Sequence, residues 1–415
     1  MKRIASKKRN KRRRRISDLP EPLLVHILSF LPIKEAVATS LLSKRWRTLW
    51  RSLPKLEFDD RNFGSLEFFV QFVDAALHLA HFNSVQMFIL KCRHFRLPPV
   101  KANIWVNTMI SHNLTHLELN ALRPVKLPSS IFICNTLRVL KLTGVGATNL
   151  SRVNLPLLEV LHLRMTKFSN FEAVRRLLSS CVRLEELVVT DLVIHSRHNN
   201  ASNEHSRHDI ARFEHLLSVD VDVPNKIFPI KAFSNVQFLT LRKAVDTFGY
   251  LFDDCPTFPS VIRLQIEKSG CIDCSVLSML RGFPKLQGLI IHEVDNDWDD
   301  DDDSDLMELS TPDVHVPPCV SSQLKEFALF GFEGSKIEFE IVRYVMEKAT
   351  VLRTVIVGSD GTCESKEEDF QMLKELSSYP RCSASCRLIY DAFGENIEEV
   401  MRKFSTIGKL TAASF

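Results

Sequence analysis

A six-residue pattern with apolar residues at positions 1, 4 and 6, here called the hexad, recurs eleven times along this chain. The copies begin at Val85, Leu114, Leu137, Leu158, Leu184, Leu216, Val236, Val261, Leu286, Leu324 and Leu352, 20 to 38 residues apart. Positions 4 and 6 are two residues apart, so their side chains lie on one face of a short strand, and position 1 forms the turn before it. Each strand exposes an apolar face until a neighbour stacks on it, which predicts a repeat solenoid.

Upstream of the hexads, residues 16–50 are patterned for helices. One apolar stripe at i, i+3, i+4 and i+7 is formed by Leu24, Ile27, Leu28 and Leu31. Caps are available at Ser17 and Asp18, and Pro32 should end this first helix. Two further short helices are predicted, over Ile33–Ser40 and from Ser43 onward. So many large apolar groups in about 35 residues exceed what so small a core can bury, which indicates that a partner covers part of the surface.

Residues 16–60 resemble a plant-type F-box over the elements LPEPLLVHILSFLP, VATSLLSKRWRTLW and LEFDD. The resemblance implies a three-helix module that docks on the Skp-type adaptor of SCF ubiquitin ligases and, through it, on the cullin scaffold. The alternative is an ordinary three-helix unit that packs only on its own chain. The adaptor contacts implied by the resemblance are Leu19, Pro20, Leu23, Leu24, Ile27, Leu28, Leu31, Pro32, Val37, Leu42 and Trp46.

Between this segment and the first hexad, Phe63–Ala80 has apolar residues at helical spacing and is predicted to be a core helix. Its predicted core positions are Phe68, Phe72, Ala75, Ala76 and Leu79. The hexads themselves resemble the divergent leucine-rich repeats of plant F-box proteins. The Asn or Cys that typically follows each repeat strand is mostly absent, and Asp191 and Asp222 are its substitutes in two copies.

From Asp313 onward the sequence predicts a strand, a Gly-Phe-Glu-Gly turn, a helix near Ile337–Ala349 and a second strand. This stretch resembles the FBD region that closes many plant F-box repeat proteins, at Cys319, Leu324, Lys325, Phe332, Glu333, Gly334 and Leu352. A helix over Glu364–Ser378 and a strand in Ser385–Tyr390 should follow. The predicted fold is α/β: a basic arm at 1–15, an F-box at 16–60, a leucine-rich-repeat solenoid at 61–312 with insertions near 195–209 and 293–312, an FBD-like cap at 313–393 and a tail at 394–415.

The first 15 residues carry ten Lys and Arg side chains and no acid, so the net charge of +4 leaves −6 for the rest. Charges this dense repel one another and predict a disordered arm. The block resembles a nuclear-import signal, and we expect the protein in the nucleus and the cytoplasm. A phosphate-binding tail and a plain solvated arm are the alternatives, and the mildly acidic body argues against a folded nucleic-acid surface. The signal residues are Lys7, Lys8, Arg9, Lys11, Arg12, Arg13, Arg14 and Arg15.

Three stretches invite a metal-site hypothesis, and each lacks a necessary feature. His195–His208 holds four histidines among polar residues, and Asp295–Asp305 lacks the ligand order and glycine of a calcium loop. The pairs Cys271/Cys274 and Cys382/Cys386 are more than 100 residues apart. The chain also shows no phosphate-binding glycine loop, nucleophile elbow or HExxH motif. We therefore predict a non-catalytic protein without metal or cofactor, and the absence of any run of about 18 apolar residues predicts no membrane span.

These observations predict a substrate-recognition subunit of an SCF-type E3 ubiquitin ligase, whose repeats bind an unidentified protein substrate. A nuclear F-box repeat scaffold without ubiquitin transfer and a small-molecule co-receptor are the alternatives. Substrate contacts are expected on the strand face opposite the buried hexad positions. They are Glu118, Lys141, His162, Arg164, Asp220, Arg242, Gln265, Glu267 and His292.

Overall fold

The computed structural model describes residues 16–81, 85–147, 150, 152–194, 213–222, 230–243, 257–269, 275–294, 316–359 and 366–391. The predictions for the basic arm, the His-rich and acidic stretches, Cys271, Cys274 and the tail lie outside these residues and stay predictions. None of the described helices has the length and apolar character needed to cross a membrane. The chain divides into two compact units, the first with Met1–Leu158, Met165–Ser169 and Val193–His195, and the second with Glu159–Arg164, Asn170–Leu192 and Ser196–Phe415.

The first unit begins with two short helices, α1 (Glu21–Leu28) and α2 (Ile33–Ala38). The prediction that the first helix continues to Leu31 is wrong, because the chain turns at residues 29–32 and Pro32 caps α2. The third predicted helix is also wrong: residues 44–48 are turns, followed by a 3-10 turn at Leu49–Ser52. Ser17 caps no helix, and its hydroxyl instead accepts the indole N–H of Trp46 at 3.0 Å.

The strands confirm the hexad pattern. In chain order they are β1 (Lys55–Asp59), β2 (Met87–Cys92), β3 (His116–Lys126), β4 (Val139–Ala147), β5 (Val160–Arg164), β6 (Lys167–Phe168), β7 (Glu186–Thr190), β8 (Val193–Ile194), β9 (Ser218–Asp222), β10 (Phe238–Arg242), β11 (Arg263–Ser269), β12 (Gly288–Val294), β13 (Glu326–Phe332), β14 (Thr354–Ser359) and β15 (Arg387–Asp391). All eleven hexads have a strand that begins at their third position, and their positions 1, 4 and 6 are buried.

In the first unit, β1, β2, β3 and β4 form a parallel sheet in that order, and β6 pairs with β4 and β8. The strand β1 lies within the range predicted as F-box, so that range contributes the first strand of the repeat sheet. The crossovers include α3 (Leu66–Leu79) and α4 (Pro99–Ile110). Asp74 joins these two helices, because its carboxylate accepts hydrogen bonds from Lys101 Nζ at 2.5 Å and Trp105 Nε1 at 2.7 Å.

The core face of α3 differs from its prediction. Phe69, Val73, Ala76 and Leu77 are buried, whereas Phe68 is 67% exposed and Leu79 is also exposed. The helix begins after Ser65, whose hydroxyl accepts the N–H of Phe68 at 3.3 Å. The buried stripe of α3 therefore lies beside the predicted one and shares Ala76 with it.

The second unit is a parallel sheet in the order β5-β7-β9-β10-β11-β12-β13-β14-β15. Its helices are α5 (Phe171–Ser179), α6 (Ser275–Met279), α7 (Pro318–Ser322), α8 (Lys336–Lys348) and α9 (Lys366–Ser378). The ladder keeps hexad positions in register, so that Asp220, Thr240 and Gln265 are successive Cα partners. Residues at one hexad position therefore form a row across the strands.

The region predicted as an FBD cap continues this sheet. Its first strand β13 contains Gly331, with φ of 75°, and is followed by Gly334, with φ of 86°, and then by α8. A reciprocal capping box begins α8, because Ser335 Oγ accepts the N–H of Glu338 and the Glu338 carboxylate accepts the N–H of Ser335. The predicted strand, turn, helix and strand are thus confirmed, with α9 and β15 after them.

Candidate functional site

Five exposed apolar side chains lie on α1 and in the turns that follow α1 and α2. Leu41, Phe30 and Leu42 are 88%, 75% and 70% exposed. Leu23 and Leu31 are exposed as well. We call these five residues the F-box patch. Large side chains that are this exposed and this numerous in one short segment are typical of a surface that another protein covers.

The F-box patch lies on a unit that has its own hydrophobic core. Leu24 and Leu28 of α1 are fully buried, and Ile33, Trp46 and Trp50 are buried with them. The guanidinium of Arg45 donates hydrogen bonds to the backbone carbonyls of Ser17 and Leu19, which ties the start of the segment to its end. The F-box patch is therefore presented on a small packed unit.

The predicted adaptor contacts divide between patch and core. Leu24, Leu28 and Trp46 are corrected from contact residues to core residues, because their side chains fill this unit's own interior. Leu19, Ile27 and Val37 are half-buried, and Pro20, Leu23, Leu31, Pro32 and Leu42 are exposed. Phe30 and Leu41 were missed. The early end of α1 at Leu28 is what turns Phe30 outward, and Leu41 lies in the 3-10 turn after α2.

The F-box segment is fastened to the repeat strands by one buried carboxylate. Asp60 follows β1 and is fully buried. Its oxygens accept the backbone N–H groups of Arg93, His94 and Phe95 after β2, at 3.2, 2.8 and 2.7 Å. Together with the β1–β2 pairing, these bonds hold the segment on the first strands of the sheet.

The predicted substrate contacts lie on the strand face opposite the buried hexad positions. All nine occupy hexad position 5 or the residue directly after the hexad, and all are half-buried. Glu118 and Lys141 are Cα partners on β3 and β4 in the first unit. The second unit carries the other seven, on β5, β9, β10, β11 and β12.

A salt-bridge network joins part of this set across three strands. The Arg242 guanidinium on β10 contacts the Asp220 carboxylate on β9 at 2.6 Å and the Glu267 carboxylate on β11 at 2.5 Å. Arg164 approaches Asp220 at 3.9 Å. Burial disfavours the charge on Arg242, but the hydrogen bonds and charges of its carboxylate partners outweigh burial and raise its pKa. Arg242 is thus a fixed cation on the strand face.

The two histidines of the set have different neighbours. His162 Nε2 lies 2.8 Å from a carboxylate oxygen of Glu186, a pairing that the sequence did not reveal. His292 packs edge-on against the Phe330 ring at 6.2 Å between centroids. Burial is the main cause that lowers the pKa of His292, the nearby Arg242 charge adds to it, and Glu267 opposes both. A neutral imidazole is therefore favoured at His292.

A second cluster of charged residues lies after the repeat strands, where the repeat consensus has Asn. The carboxylate of Asp222 accepts the N–H of Asp191 at 2.7 Å, and Lys243 Nζ contacts the carboxylates of both Asp191 and Asp222. Asp191 and Lys243 follow their strands at equivalent positions, and both have a left-handed backbone with φ near +50°. The predicted substitutes for the Asn ladder thus form a real contact between repeats.

No cluster of metal-ligating side chains occurs in the described part of the chain. Burial raises the pKa of the Cys181 thiol to about 12 and that of Cys319 to about 11, and it also raises the pKa of Cys92. Thiols held protonated in this way are poor nucleophiles. These cysteines are accordingly core residues.

Comparison with known proteins agrees with this geometry. A model of the F-box domain matches residues 16–58, the repeats of "FBD-associated F-box protein At5g56370, LRR repeats" match 102–221, and the FBD matches 312–357. The chain therefore contains an F-box domain, leucine-rich repeats and an FBD region. The F-box match ends inside β1, and the FBD match ends inside β14.

Similar F-box proteins occur in Arabidopsis thaliana. "F-box/FBD/LRR-repeat protein At4g26340" is 29% identical over 91% of this chain and 100% of its own length. "FBD-associated F-box protein At3g52670" is 28% identical over 91% of this chain and 97% of its own, and "FBD-associated F-box protein At4g10400" is 29% identical over 90% and 99%. The similarity therefore extends along nearly the whole chain.

The F-box implies binding to a Skp-type adaptor, and together with the repeats it supports a general role as an adaptor of ubiquitin ligases. F-box proteins with leucine-rich repeats are generally non-catalytic adaptors.

Proposed function

We propose that this F-box protein is the substrate-recognition subunit of an SCF-type E3 ubiquitin ligase. The F-box patch docks on the Skp-type adaptor and thereby on the cullin scaffold. The charged strand face binds the protein that is to be ubiquitinated. Holding that protein near the loaded conjugating enzyme raises its effective concentration, and this requires no reactive group in the chain.

The observation that carries the proposal is the division of the F-box apolar residues into core and patch. Leu24 and Leu28 fill the core, so the unit is packed, yet Phe30, Leu41 and Leu42 remain outside it. A packed unit has no need of exposed residues of this size for its own stability. Their burial against an adaptor would supply the affinity of docking.

The experiment compares retention of a Skp-type adaptor and cullin on the purified full chain and on two variants. The double variant Leu41→Asp, Leu42→Asp should weaken adaptor binding by about 30-fold or more, because it forces charges into the apolar contact. The control is Phe68→Asp on α3, which makes the same kind of change at a side chain that is 67% exposed and outside the patch. The control should bind like the original chain.

Equal affinity of the double variant and the original chain would overturn the assignment of the patch. Adaptor binding without ubiquitin transfer to any protein held by the repeats would instead favour the nuclear scaffold. Strand-face variants separate these cases, because Arg164→Glu should change which proteins are ubiquitinated and leave adaptor retention unchanged.

We further propose that the basic arm directs the protein to the nucleus. The support is its sequence alone, with ten cations and no acid in 15 residues. Replacing Lys7–Arg15 by an uncharged segment of equal length should shift a fluorescent fusion of the full chain toward the cytoplasm. An unchanged distribution would leave the phosphate-binding tail and the solvated arm as the alternatives.

A further inference from the structure

The repeat core is less complete at the last strand of the described sheet than in the strand before it. At hexad positions 4 and 6, β14 carries Val355 and Val357, and both are fully buried. Their Cα partners on β15, Leu388 and Tyr390, are only half-buried. A terminal repeat has a neighbouring repeat on one side only, so its outer side must be polar or covered.

Three large apolar side chains are exposed at this end of the second unit. Phe370 and Leu373 on α9 are 59% and 37% exposed, and Ile389 in the middle of β15 is 47% exposed. We call these three residues the end patch. The end of the sheet is therefore neither polar nor covered, and apolar side chains grouped in this way are typical of a surface that another protein covers.

The contacts of α9 show which way its part of the end patch faces. Met372 lies against Gly334, just before α8, where an added Cβ would be 2.6 Å from Met372 Cε. Phe370 is two residues before Met372 and thus about 160° away around the helix. Leu373 follows Phe370 by three residues and lies on the same side. This side of α9 therefore faces away from α8 and beyond β15.

Charged residues beside the end patch make α9 complementary to itself. Glu367 and Lys374 are both exposed and lie three residues before and four residues after Phe370, on the adjacent side of the helix. We consider two copies of α9 packed antiparallel, with Phe370 against the second copy's Leu373. Glu367 of each copy then comes within about 3 Å, measured along the helix axis, of the second copy's Lys374. A two-fold axis forms this ion pair twice.

The strand β15 fits the same two-fold axis. Ile389 is its middle residue, so an antiparallel approach of two copies places Ile389 beside the second copy's Ile389. Tyr390 is adjacent to Ile389, and its hydroxyl donates to Asp369 Oδ1 at 2.9 Å. Ile389 therefore lies close to the level of the midpoint between Phe370 and Leu373. One axis can relate both the helices and the strands.

We propose that the end patch is a dimer interface, at which a second copy of this chain packs α9 against α9 and β15 beside β15. The opposite charges of Glu367 and Lys374 at two-fold related levels favour a second copy over an unrelated partner. A dimer carries two strand faces, so a substrate with two binding segments is held with greater avidity. The self-association does not depend on the proposed ligase function.

The first test measures dimerisation of the full chain by sedimentation over a concentration series. Phe370→Asp should weaken the dimer by about tenfold or more, because it forces a charge into the apolar contact. The matched control is Val182→Asp, which makes the same kind of change after α5 at a side chain that is 65% exposed. The control should dimerise like the original chain.

A charge exchange tests the symmetry of the contact. Lys374→Glu and Glu367→Lys should each weaken dimerisation by about threefold or more at low salt, because each places like charges opposite one another twice. The chain with both changes should recover the original affinity. No recovery would overturn the antiparallel arrangement of α9.

Cross-linking tests the position of the axis. Ile389→Cys should form a covalent dimer on oxidation with diamide, since a residue at the two-fold axis meets its own copy. Val182→Cys is the control, and exposed Cys382, present in both chains, sets the background. A chain that stays monomeric at every concentration would overturn the proposal, as would equal dimerisation of Phe370→Asp and Val182→Asp. Association lost only in the Leu41→Asp, Leu42→Asp variant would assign it to the F-box patch instead.

Discussion

The F-box patch and the strand face of the second unit differ in the chemistry of the side chains that they present. The patch presents the large apolar side chains of Phe30, Leu41 and Leu42 over a core that includes leucine and tryptophan. The strand face presents charges and pairs them with each other, as Arg242 is paired with Asp220 and Glu267. Apolar burial is non-directional and suits a partner that never changes, whereas placed charges favour one partner over another.

The largest difference in stability between a core substitution and a patch substitution is expected for Leu28 and Leu41. Leu28→Ala removes a fully buried side chain and should lower the free energy of unfolding of the F-box by about 2–5 kcal/mol. Leu41→Ala should change it by less than about 0.5 kcal/mol and still weaken adaptor binding. Chemical denaturation and adaptor titration of both variants measure the two effects. A stable Leu28→Ala chain would return Leu28 to the contact surface.

The anchor of the F-box segment should be nearly as sensitive. Asp60→Ala leaves three backbone N–H groups without the fully buried carboxylate that accepts them, and we expect a loss of about 3 kcal/mol in unfolding free energy. The matched change Asp59→Ala removes a contact with Arg61 at the surface and a backbone cap, and should cost about 1 kcal/mol. Equal losses in urea unfolding would show that the buried carboxylate has no special role.

On the strand face, Arg242→Met should cost about 1–3 kcal/mol, because Asp220 and Glu267 lose their shared cation while remaining partly buried. Arg343→Met on α8, which breaks an exposed pair with Glu347, should leave stability close to unchanged. The comparison is made by denaturant unfolding at one pH. Stability of Arg242→Met equal to that of Arg343→Met would mean that the network is no stronger than a surface ion pair.

The smallest effect is expected at His292. Its pKa is lowered in the fold, so below about pH 6.5 the unfolded chain binds a proton that the folded chain resists. Stability should therefore fall as the pH drops through this range, down to the folded pKa. His292→Gln should make unfolding midpoints less dependent on pH between 7 and 5. The same slope in both proteins would contradict the expectation.

The repeat strands could be predicted because each hexad contains the residues that determine which face of its strand is buried. The pattern fixed where all eleven strands begin, since positions 4 and 6 can share a buried face in only one register. It also extends to β1, where Leu53, Leu56 and Phe58 occupy positions 1, 4 and 6. The same residues belong to the resemblance to an F-box, so the pattern alone does not assign them to the repeats.

The F-box contacts were harder to predict because an apolar stripe does not say what it packs against. Leu28 and Leu31 belong to the same periodic pattern, yet the first is core and the second is exposed. The outcome depends on where α1 ends, which propensity defines only to within a turn. Pairings such as Arg242 with Asp220 could have been predicted from the sequence, because stacked hexads place the strand residues of neighbouring copies side by side.

The shared strand β1 has a consequence for how such proteins can be recombined. Lys55–Asp59 pair with Met87–Lys91, and Asp60 is bonded to the chain just beyond, so the adaptor-binding segment and the repeats have no linker between them. A graft that exchanges F-boxes at residue 60 would replace the first strand of the recipient's sheet with the donor's strand. A better junction lies at Leu53–Pro54, before β1. A segment grafted there would leave the recipient's strand β1 in place and would be oriented by it.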